Sequence, residues 1–247
     1  MYNIIVLFKQ ILDIDQMKID EKTGEPVTKN LPYKIEDLSK NAIEEAVRVK
    51  EKYGGKVIAI TFGGDQATMS MKEALAMGAD EGIILKGYRE NNPTLTAEVL
   101  ATKIKTLQYD IIIMGNQSAD SYTGLLPGKL SSKLNLPLLG NAIKLEMEGR
   151  KARVTRSGEQ RDYVIESDLP AIISVEQEIN EPRLPPLVQI MMAGKKPMKV
   201  EEIKVNVETY KKVIWNRAPK SDRKRVVFED IDKGVEEISK VIRSEVK

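Results

Sequence analysis

The sequence predicts a doubly wound α/β fold on a mainly parallel sheet, with a small antiparallel hairpin and an extended C-terminal arm. Three patterns point to it. Short, branched, nearly uninterrupted apolar runs alternate with amphipathic helical segments through the first half of the chain. Glycine-rich turns follow two of those runs, where an open α/β sheet binds its ligands. Beyond Gly194 the chain turns basic and loosely patterned.

The apolar runs are Ile4–Phe8, Val57–Phe62, Gly82–Leu85 and Ile111–Met114, and each reads as a strand covered on both faces. Between the first two, a helix is expected from Asp37 to Tyr53. Leu38, Ala42, Ile43, Ala46, Val47 and Val49 form its apolar stripe, and Glu44, Glu45, Arg48 and Lys50 are expected outside it. Gly54-Gly55 ends that helix. A second helix runs from about Asp65 to Met77 and stops at Gly78. A third follows Asn92-Pro93, since proline suits a first helical turn, and buries Leu95, Val99, Leu100, Ile104 and Leu107. The alternation of strand and helix makes a doubly wound, Rossmann-like α/β sheet the expected frame. Arg153–Thr155 and Asp162–Ile165 then read as a hairpin turning at Ser157-Gly158, and Pro170 opens a further buried strand, Ala171–Val175. An amphipathic helix near Asp230–Ser244 closes the chain. The expected division is a domain over residues 1–194 and an arm over 195–247, the arm having too few apolar residues for a core of its own.

Composition removes several chemistries. The 247 residues include no cysteine and no histidine, so this chain alone supplies no disulfide, thiolate metal site, cysteine nucleophile, histidine base or Ser-His-Asp triad. The net charge of +2, with 31% charged residues, gives no global field for nucleic acid or an acidic membrane. The basic run Arg223-Lys224-Arg225 reads as solvated surface or as an arm along a partner. The N-terminal MYNIIVLFKQ has neither a basic leader nor a cleavage site, and no run approaches the length of a membrane span. A cytoplasmic protein without membrane insertion is expected.

Four segments stand out. Gly115-Asn-Gln-Ser-Ala-Asp-Ser-Tyr-Thr-Gly-Leu-Leu-Pro-Gly128 combines glycines with the hydroxyls of Ser118, Ser121 and Thr123. If Tyr122 or Thr123 starts a helix, its free amides hold a phosphate. An ordinary glycine-rich turn fits the same residues, and the GxxxxGK[ST] cradle is absent. Gly63-Gly64-Asp65 is the other strand-end turn. Ala74-Leu-Ala-Met-Gly-Ala-Asp80 is a helix end with glycine at its close. Asn180-Glu-Pro-Arg-Leu-Pro-Pro-Leu-Val-Gln-Ile-Met-Met-Ala-Gly-Lys-Lys196 carries three prolines and reads as a poor helix and a poor strand. A projecting recognition loop and a structural crossover both explain it.

Taken in order, these pieces resemble the beta subunit of electron-transfer flavoproteins. The resemblance rests on Lys9-Gln-Ile-Leu-Asp13, Glu44-Glu-Ala-Val-Arg-Val-Lys-Glu51, Ala74–Asp80, Gly115–Asp120 with Thr123-Gly124, Leu169-Pro-Ala-Ile-Ile-Ser174 and Asn180-Glu-Pro-Arg183, and it runs to about Lys199. It implies an electron carrier rather than an enzyme, paired with an alpha subunit that bears the redox-active FAD. It implies a second adenine nucleotide in this chain: AMP in ordinary members, FAD in bifurcating ones, whose complexes oxidise NADH. The implied nucleotide contacts are Leu7, Glu36, Asp37, Leu38, Ser39 and Phe62, with Ser121, Tyr122, Thr123, Gly124, Leu125, Leu126, Pro127, Gly128, Lys129, Leu130, Ser131 and Ser132. Gly63 and Asp120 stand beside them.

The resemblance also makes Pro182, Arg183, Leu184, Leu187, Ile190, Met191 and Lys195 the loop that meets partner dehydrogenases, with Leu187 its apolar anchor and Lys195 a basic position. The final acceptor is quinone-linked or of another kind. Tyr122 stands where relatives often carry an acid, Leu125 where they carry glutamine, and Met192 at a second basic position of the loop. Ile14 and Leu38 occupy positions that approach the alpha-subunit flavin. The rival readings are a stand-alone ATP- or AMP-binding protein or nucleotide hydrolase on a similar sheet, and a purely structural interaction module.

Overall fold

The computed structural model describes residues 1–87, 92–207, 213–219 and 226–245. The chain begins with β1 (Tyr2–Leu7), β2 (Gln10–Leu12), β3 (Lys18–Ile19), β4 (Pro26–Val27) and β5 (Tyr33–Ile35). Then come α1 (Asp37–Tyr53), β6 (Gly55–Phe62), α2 (Ala67–Met77), β7 (Glu81–Lys86), α3 (Pro93–Ile104) and β8 (Ile111–Gly115). The second half holds α4 (Leu126–Leu134), β9 (Leu138–Glu148), β10 (Lys151–Arg156), β11 (Tyr163–Asp168) and β12 (Ala171–Val175). It ends with α5 (Leu187–Ala193), β13 (Met198–Glu202) and α6 (Ile231–Glu245).

Among the described residues, nine strands form one sheet in the order β11-β10-β9-β12-β8-β1-β6-β7-β13. β1 lies at its centre, parallel to β6 (Ile4 opposite Val57) and to β8 (Ile4 opposite Ile111). Neighbouring pairs out to β13 on one side and β9 on the other are also parallel, while β10 runs antiparallel to both β9 and β11. From β1 the chain moves to β6 and β7 on one side, then crosses to β8 on the other. The strand order reverses at β1 and β8, where a doubly wound sheet opens a crevice at its carboxyl edge.

Alternation along the central strands feeds two cores. Ile4 and Val6 face the layer of α1 and α2 with Ile43, Val47, Met71 and Leu75. Ile5 and Leu7 face the opposite layer with Ile60, Val99, Leu100, Ile104 and Ile112. Each such aliphatic side chain contributes roughly 1.5–3 kcal/mol by leaving water. α1 is capped by Glu36, whose Oε2 accepts from Ser39 N at 2.9 Å, and Lys50 and Lys52 lie in its last turn, where they suit the helix dipole. Asn92 caps α3 in the same way, accepting from Leu95 N at 2.9 Å, with Pro93 in the first turn. Gly78 closes α2 at φ +131°, and a Cβ there would lie 2.8 Å from Val47 Cγ1, so a side chain is excluded both by backbone and by space.

The expected strands, the helix over Asp37–Tyr53, the hairpin and the C-terminal helix all form within a few residues of their predicted bounds. Four features depart from expectation. β9 is a long strand that the mixed pattern of Leu138–Glu148 conceals, because Asn141 sits at φ 58° and the pairing of β12 with β9 shifts between Ile173 and Val175. β13 extends the sheet by pairing with β7, so the sheet continues past residue 194. α5 forms in the proline-rich segment, since Pro185 and Pro186 precede it and leave its own amides intact. Glu44 and Glu45 are buried rather than outside the α1 stripe, because distant parts of the chain cover them.

The contacts divide the chain into two units, Met1–Met17 with Thr28–Ile214, and Lys18–Val27 with Trp215–Lys247. The larger unit holds the sheet. In the smaller, β3 and β4 pair, Ala218 N donates to Gly24 O at 2.8 Å, and the Arg217 guanidinium lies 5.4 Å from the Trp215 ring centre. α6 exposes Ile231, Val235, Ile238 and Ile242 along one stripe. Lys220 and the run Arg223-Lys224-Arg225 lie outside the described residues. No helix among the described residues is long and apolar enough to cross a membrane.

Candidate functional site

At the carboxyl edge where β1 and β8 diverge, the larger unit opens a cleft of about 860 Å³, its mouth included. Leu7, Phe8 and Lys9 enter from the end of β1, Ile60 and Phe62 from β6, and Met114 through Ser118 from the end of β8. Asn92, Pro93, Thr96 and Leu100 of the α3 region form the opposite wall, and Ser39 closes one side. Ser121 and Thr123 through Leu126, ahead of α4, complete the rim. The floor is apolar: Leu7, Ile60, Phe62, Leu100 and Met114 belong to the sheet's second core. Such a floor with a polar rim fits a flat heteroaromatic ring carrying a polar tail.

The rim is a connected network. Lys9 Nζ donates to both Asp120 oxygens at 2.7 Å and to Ser118 Oγ at 3.2 Å. Ser118 Oγ lies 2.7 Å from Asp120 Oδ1 and 3.0 Å from Ser121 Oγ. Tyr122 N bonds back to Ser118 O at 2.8 Å, tightening the turn. Tyr122 itself takes φ 46° and Gly124 φ 58°. A left-handed tyrosine costs on the order of 1 kcal/mol, so the turn is strained at the rim. Two left-handed residues cannot continue a helix, so α4 starts at Leu126 rather than at Tyr122 or Thr123. Its leading end has no side-chain cap. Among the described residues, no hydrogen bond inside the chain takes the amides of Thr123, Gly124, Leu126 or Gly128. These donors, beside the cleft and at the positive end of a helix, fit a phosphate.

The Glu36–Ser39 turn builds the adjoining wall. Lys9 N donates to Ser39 Oγ at 3.0 Å, and Glu36 N donates to Lys9 O at 3.0 Å, so the turn grips the end of β1. Burial pushes the Glu36 carboxyl above its ordinary value, against the lowering pull of its bond from Ser39 N. Gly115 permits the close approach of α1, since a Cβ there would stand 3.0 Å from Leu38 Cβ.

The expected contacts therefore divide. Leu7, Ser39, Phe62, Ser121, Thr123, Gly124, Leu125 and Leu126 line the cleft. Asp120 sits on its rim through Lys9. Glu36 is a buried cap, Leu38 packs on Gly115, and Asp37 is exposed, 3.9 Å from Lys34. Gly63 lies behind Phe62, its N bonded to Leu85 O at 2.9 Å. Tyr122 is 69% exposed and does not line the cleft. Pro127, Gly128, Lys129, Leu130, Ser131 and Ser132 belong to α4, where Leu130 is core and Ser131 Oγ bonds Leu136 O at 2.6 Å. Asn116 through Ser118 belong to the glycine-rich turn singled out in the sequence, whereas Lys9, Asn92, Pro93, Thr96 and Leu100 were not anticipated. A lysine just past the carboxyl end of the central strand was the available signal for the first of these.

The proline-rich segment is bolted to one face of α1. Arg183 Nε and Nη2 grip Glu44 at 2.8 and 3.1 Å, and Nη1 and Nη2 grip Glu51 at 2.7 and 3.0 Å. Arg48 Nε adds a bond to Glu44 at 2.8 Å. Burial alone would raise the Glu44 carboxyl, but the Arg183 and Arg48 guanidiniums outweigh it and hold it below its ordinary value. Asn180 Nδ2 donates to Glu45 Oε2 at 3.0 Å, and Asn41 Nδ2 donates to Asn180 O at 2.7 Å. At the other foot, Lys196 Nζ donates to Leu75 O and Ala79 O, each at 2.8 Å. Between these anchors Leu184, Leu187, Met191 and Lys195 are exposed, while Pro182 and Ile190 are half-buried. Leu187 is 66% exposed, at the first position of α5.

Comparison with known proteins gives the arrangement a family. The family model described as the Electron transfer flavoprotein domain matches residues 26–206. The electron transfer flavoprotein subunit beta of Thermoanaerobacterium thermosaccharolyticum is 37% identical over 201 residues, covering 80% of this chain and 77% of that one. The corresponding subunit of Clostridium acetobutylicum is 31% identical over 253 residues, covering 99% of this chain and 98% of that one. A subunit of the caffeyl-CoA reductase-Etf complex, CarD of Acetobacterium woodii, is 32% identical over 201 residues, 80% of this chain and 77% of its own. With an α/β sheet as its frame, a family model matched over residues 26–206 and beta-subunit relatives matched over most of its length, the chain belongs to the electron transfer flavoprotein family as a beta subunit, and its role is electron transfer.

Proposed function

We propose that this subunit binds one adenine nucleotide in the β1–β8 cleft, completes a heterodimer with a flavin-bearing alpha subunit, and offers α5 to electron-donating dehydrogenases. The observation that carries the reading is the pairing of an apolar floor with amides at Thr123, Gly124 and Leu126 on one rim that no hydrogen bond takes among the described residues. Leu7, Ile60 and Phe62 would receive the base, and the amides ahead of α4 the phosphate. Flavin supplies the redox chemistry of the complex; this chain's residues bind, orient and shield. The smaller unit, with the exposed stripe of α6, is the part we assign to lie along the alpha subunit, as an arm. The exposed apolar residues Leu184, Leu187 and Met191 fit an anchor patch for a partner pocket. Electrons would leave for a quinone-linked or other acceptor, with the protein working in the cytoplasm.

Co-expression with the alpha-subunit frame, followed by acid release and chromatography of bound cofactors, tests the reading. One flavin and one AMP per heterodimer is expected if the nucleotide here is structural. Two flavins and no AMP mark FAD in this cleft and a bifurcating complex, the arrangement compatible with a relative that serves a caffeyl-CoA reductase complex. A heterodimer that carries only the alpha-subunit flavin and binds no added adenylate refutes nucleotide binding by this chain. Steady ATP turnover by the chain alone favours the hydrolase reading instead.

A further inference from the structure

Among the described residues, Lys9 is the one ionisable side chain that lines the cleft. Its backbone is pinned on both sides, by Ser39 Oγ on its amide and by Glu36 N on its carbonyl, each at 3.0 Å. The stem therefore rises from a fixed point beside the mouth. Its ammonium does not stand free: both oxygens of Asp120 hold it at 2.7 Å, and Ser118 Oγ at 3.2 Å. Asp120 in turn belongs to the turn whose next residues, Ser121 and Thr123 through Leu126, form the rim.

From this geometry, and resting on the reading of the cleft as an adenine-nucleotide site, we infer that Lys9 is the cationic contact for the nucleotide's phosphate and that Asp120 is the anion it displaces or shares. A phosphomonoester brings about 1.5–2 negative charges near neutral pH. Amides and hydroxyls on the rim offer dipoles, but among the described residues that line the cleft Lys9 alone offers a full positive charge. An ammonium has three donors, so it can turn from the carboxylate to the phosphate without moving its stem. Asp120 then plays two opposed parts. It holds the ammonium at the mouth when no anion is bound, and it competes with the incoming anion for the same charge. The pair thereby sets how strongly the cleft prefers a phosphorylated nucleoside over the bare nucleoside. The polar turn of Ser118, Asp120 and Ser121 is in this account a holder for Lys9 rather than a set of direct ligands.

The test compares AMP with adenosine by calorimetric titration of the full-length, nucleotide-stripped chain. Wild type should bind AMP more tightly than adenosine. Lys9→Met keeps the length of the stem without the charge and should weaken AMP at least about tenfold while leaving adenosine within about twofold. Lys9→Arg should keep the preference. Asp120→Asn removes the competitor and should tighten AMP by about three- to tenfold, again without an effect on adenosine. Raising the salt concentration should weaken AMP binding to wild type more than to Lys9→Met. The inference is overturned if Lys9→Met weakens both ligands equally or neither, or if Asp120→Asn weakens AMP. Should Lys9→Met fail to fold, the Asp120→Asn titration still decides. Wild type that binds neither AMP nor adenosine refutes the nucleotide reading itself, and the two failures are thus told apart.

Discussion

The Arg183 clamp allows a quantitative prediction. Replacing Arg183 with Gln removes two bidentate pairs, one to Glu44 and one to Glu51. The Glu51 pair is largely exposed and is worth at most about 0.5–1 kcal/mol. Glu44 is 3% exposed, and breaking a fully buried pair would cost about 3–5 kcal/mol. Two facts reduce that figure: the Arg183 side chain is 39% exposed, so solvent screens it, and Arg48 remains on Glu44 at 2.8 Å. A loss of about 2 kcal/mol is expected, read as a lower urea midpoint with an unchanged slope. Much of it should appear locally. Amide exchange across Leu187–Ala193 should accelerate by about tenfold or more, since 1.4 kcal/mol is one decade. A linked pH effect follows from Glu44, whose pKa is depressed in the folded chain. Its stabilisation is present above the unfolded carboxylate pKa and is lost as pH falls through the lower folded value, so the variant should show a shallower acid loss. A change below about 0.3 kcal/mol with unaltered exchange in α5 would refute the claim that this clamp holds the segment.

Three further outcomes are expected. Gly78→Ala must force a Cβ to within 2.8 Å of Val47 at φ +131°, and should cost about 2 kcal/mol or more, measured by thermal or urea unfolding. Glu45 has its carboxyl raised by burial, so ionising it opposes folding; Glu45→Gln keeps an acceptor for Asn180 and should stabilise the chain near neutral pH, a gain that shrinks as pH falls through the raised folded value toward the unfolded one. Leu187→Glu, at an exposed position, should change stability by less than about 0.5 kcal/mol yet slow reduction of the heterodimer by a donor dehydrogenase at sub-saturating donor, and equal rates would remove Leu187 from the docking patch.

The strands of the parallel half were legible because Ile4–Phe8, Val57–Phe62 and Ile111–Met114 are covered on both faces, so burial leaves a nearly uninterrupted apolar run in the sequence, broken only by Thr61. β9 was hidden because its faces are unlike along its length and a left-handed Asn141 interrupts the alternation. α5 was hidden by prolines that precede the helix rather than break it. Glu44 and Glu45 misled for a different reason: helical periodicity cannot see a partner 139 or 135 residues away, and Arg183 and Asn180 supply the cover that makes their burial tolerable. The cleft was partly legible. Its glycine-rich rim stands out in sequence, but Lys9, Asn92 and Thr96 come from segments joined only when the sheet closes.

α1 reaches from the cleft proposed to hold a nucleotide to the proline-rich segment proposed to dock a donor. Ser39 in its first turn steadies the β1 end where Lys9 arises, and Glu51, about 18 Å further along the axis, holds Arg183. Such a rod is a strut: a tilt imposed at the cleft end is delivered at the end that holds Arg183 with little lost to bending. Thermodynamics then makes the traffic mutual, so that any factor by which a seated nucleotide sharpens donor affinity is the factor by which a docked donor retains the nucleotide.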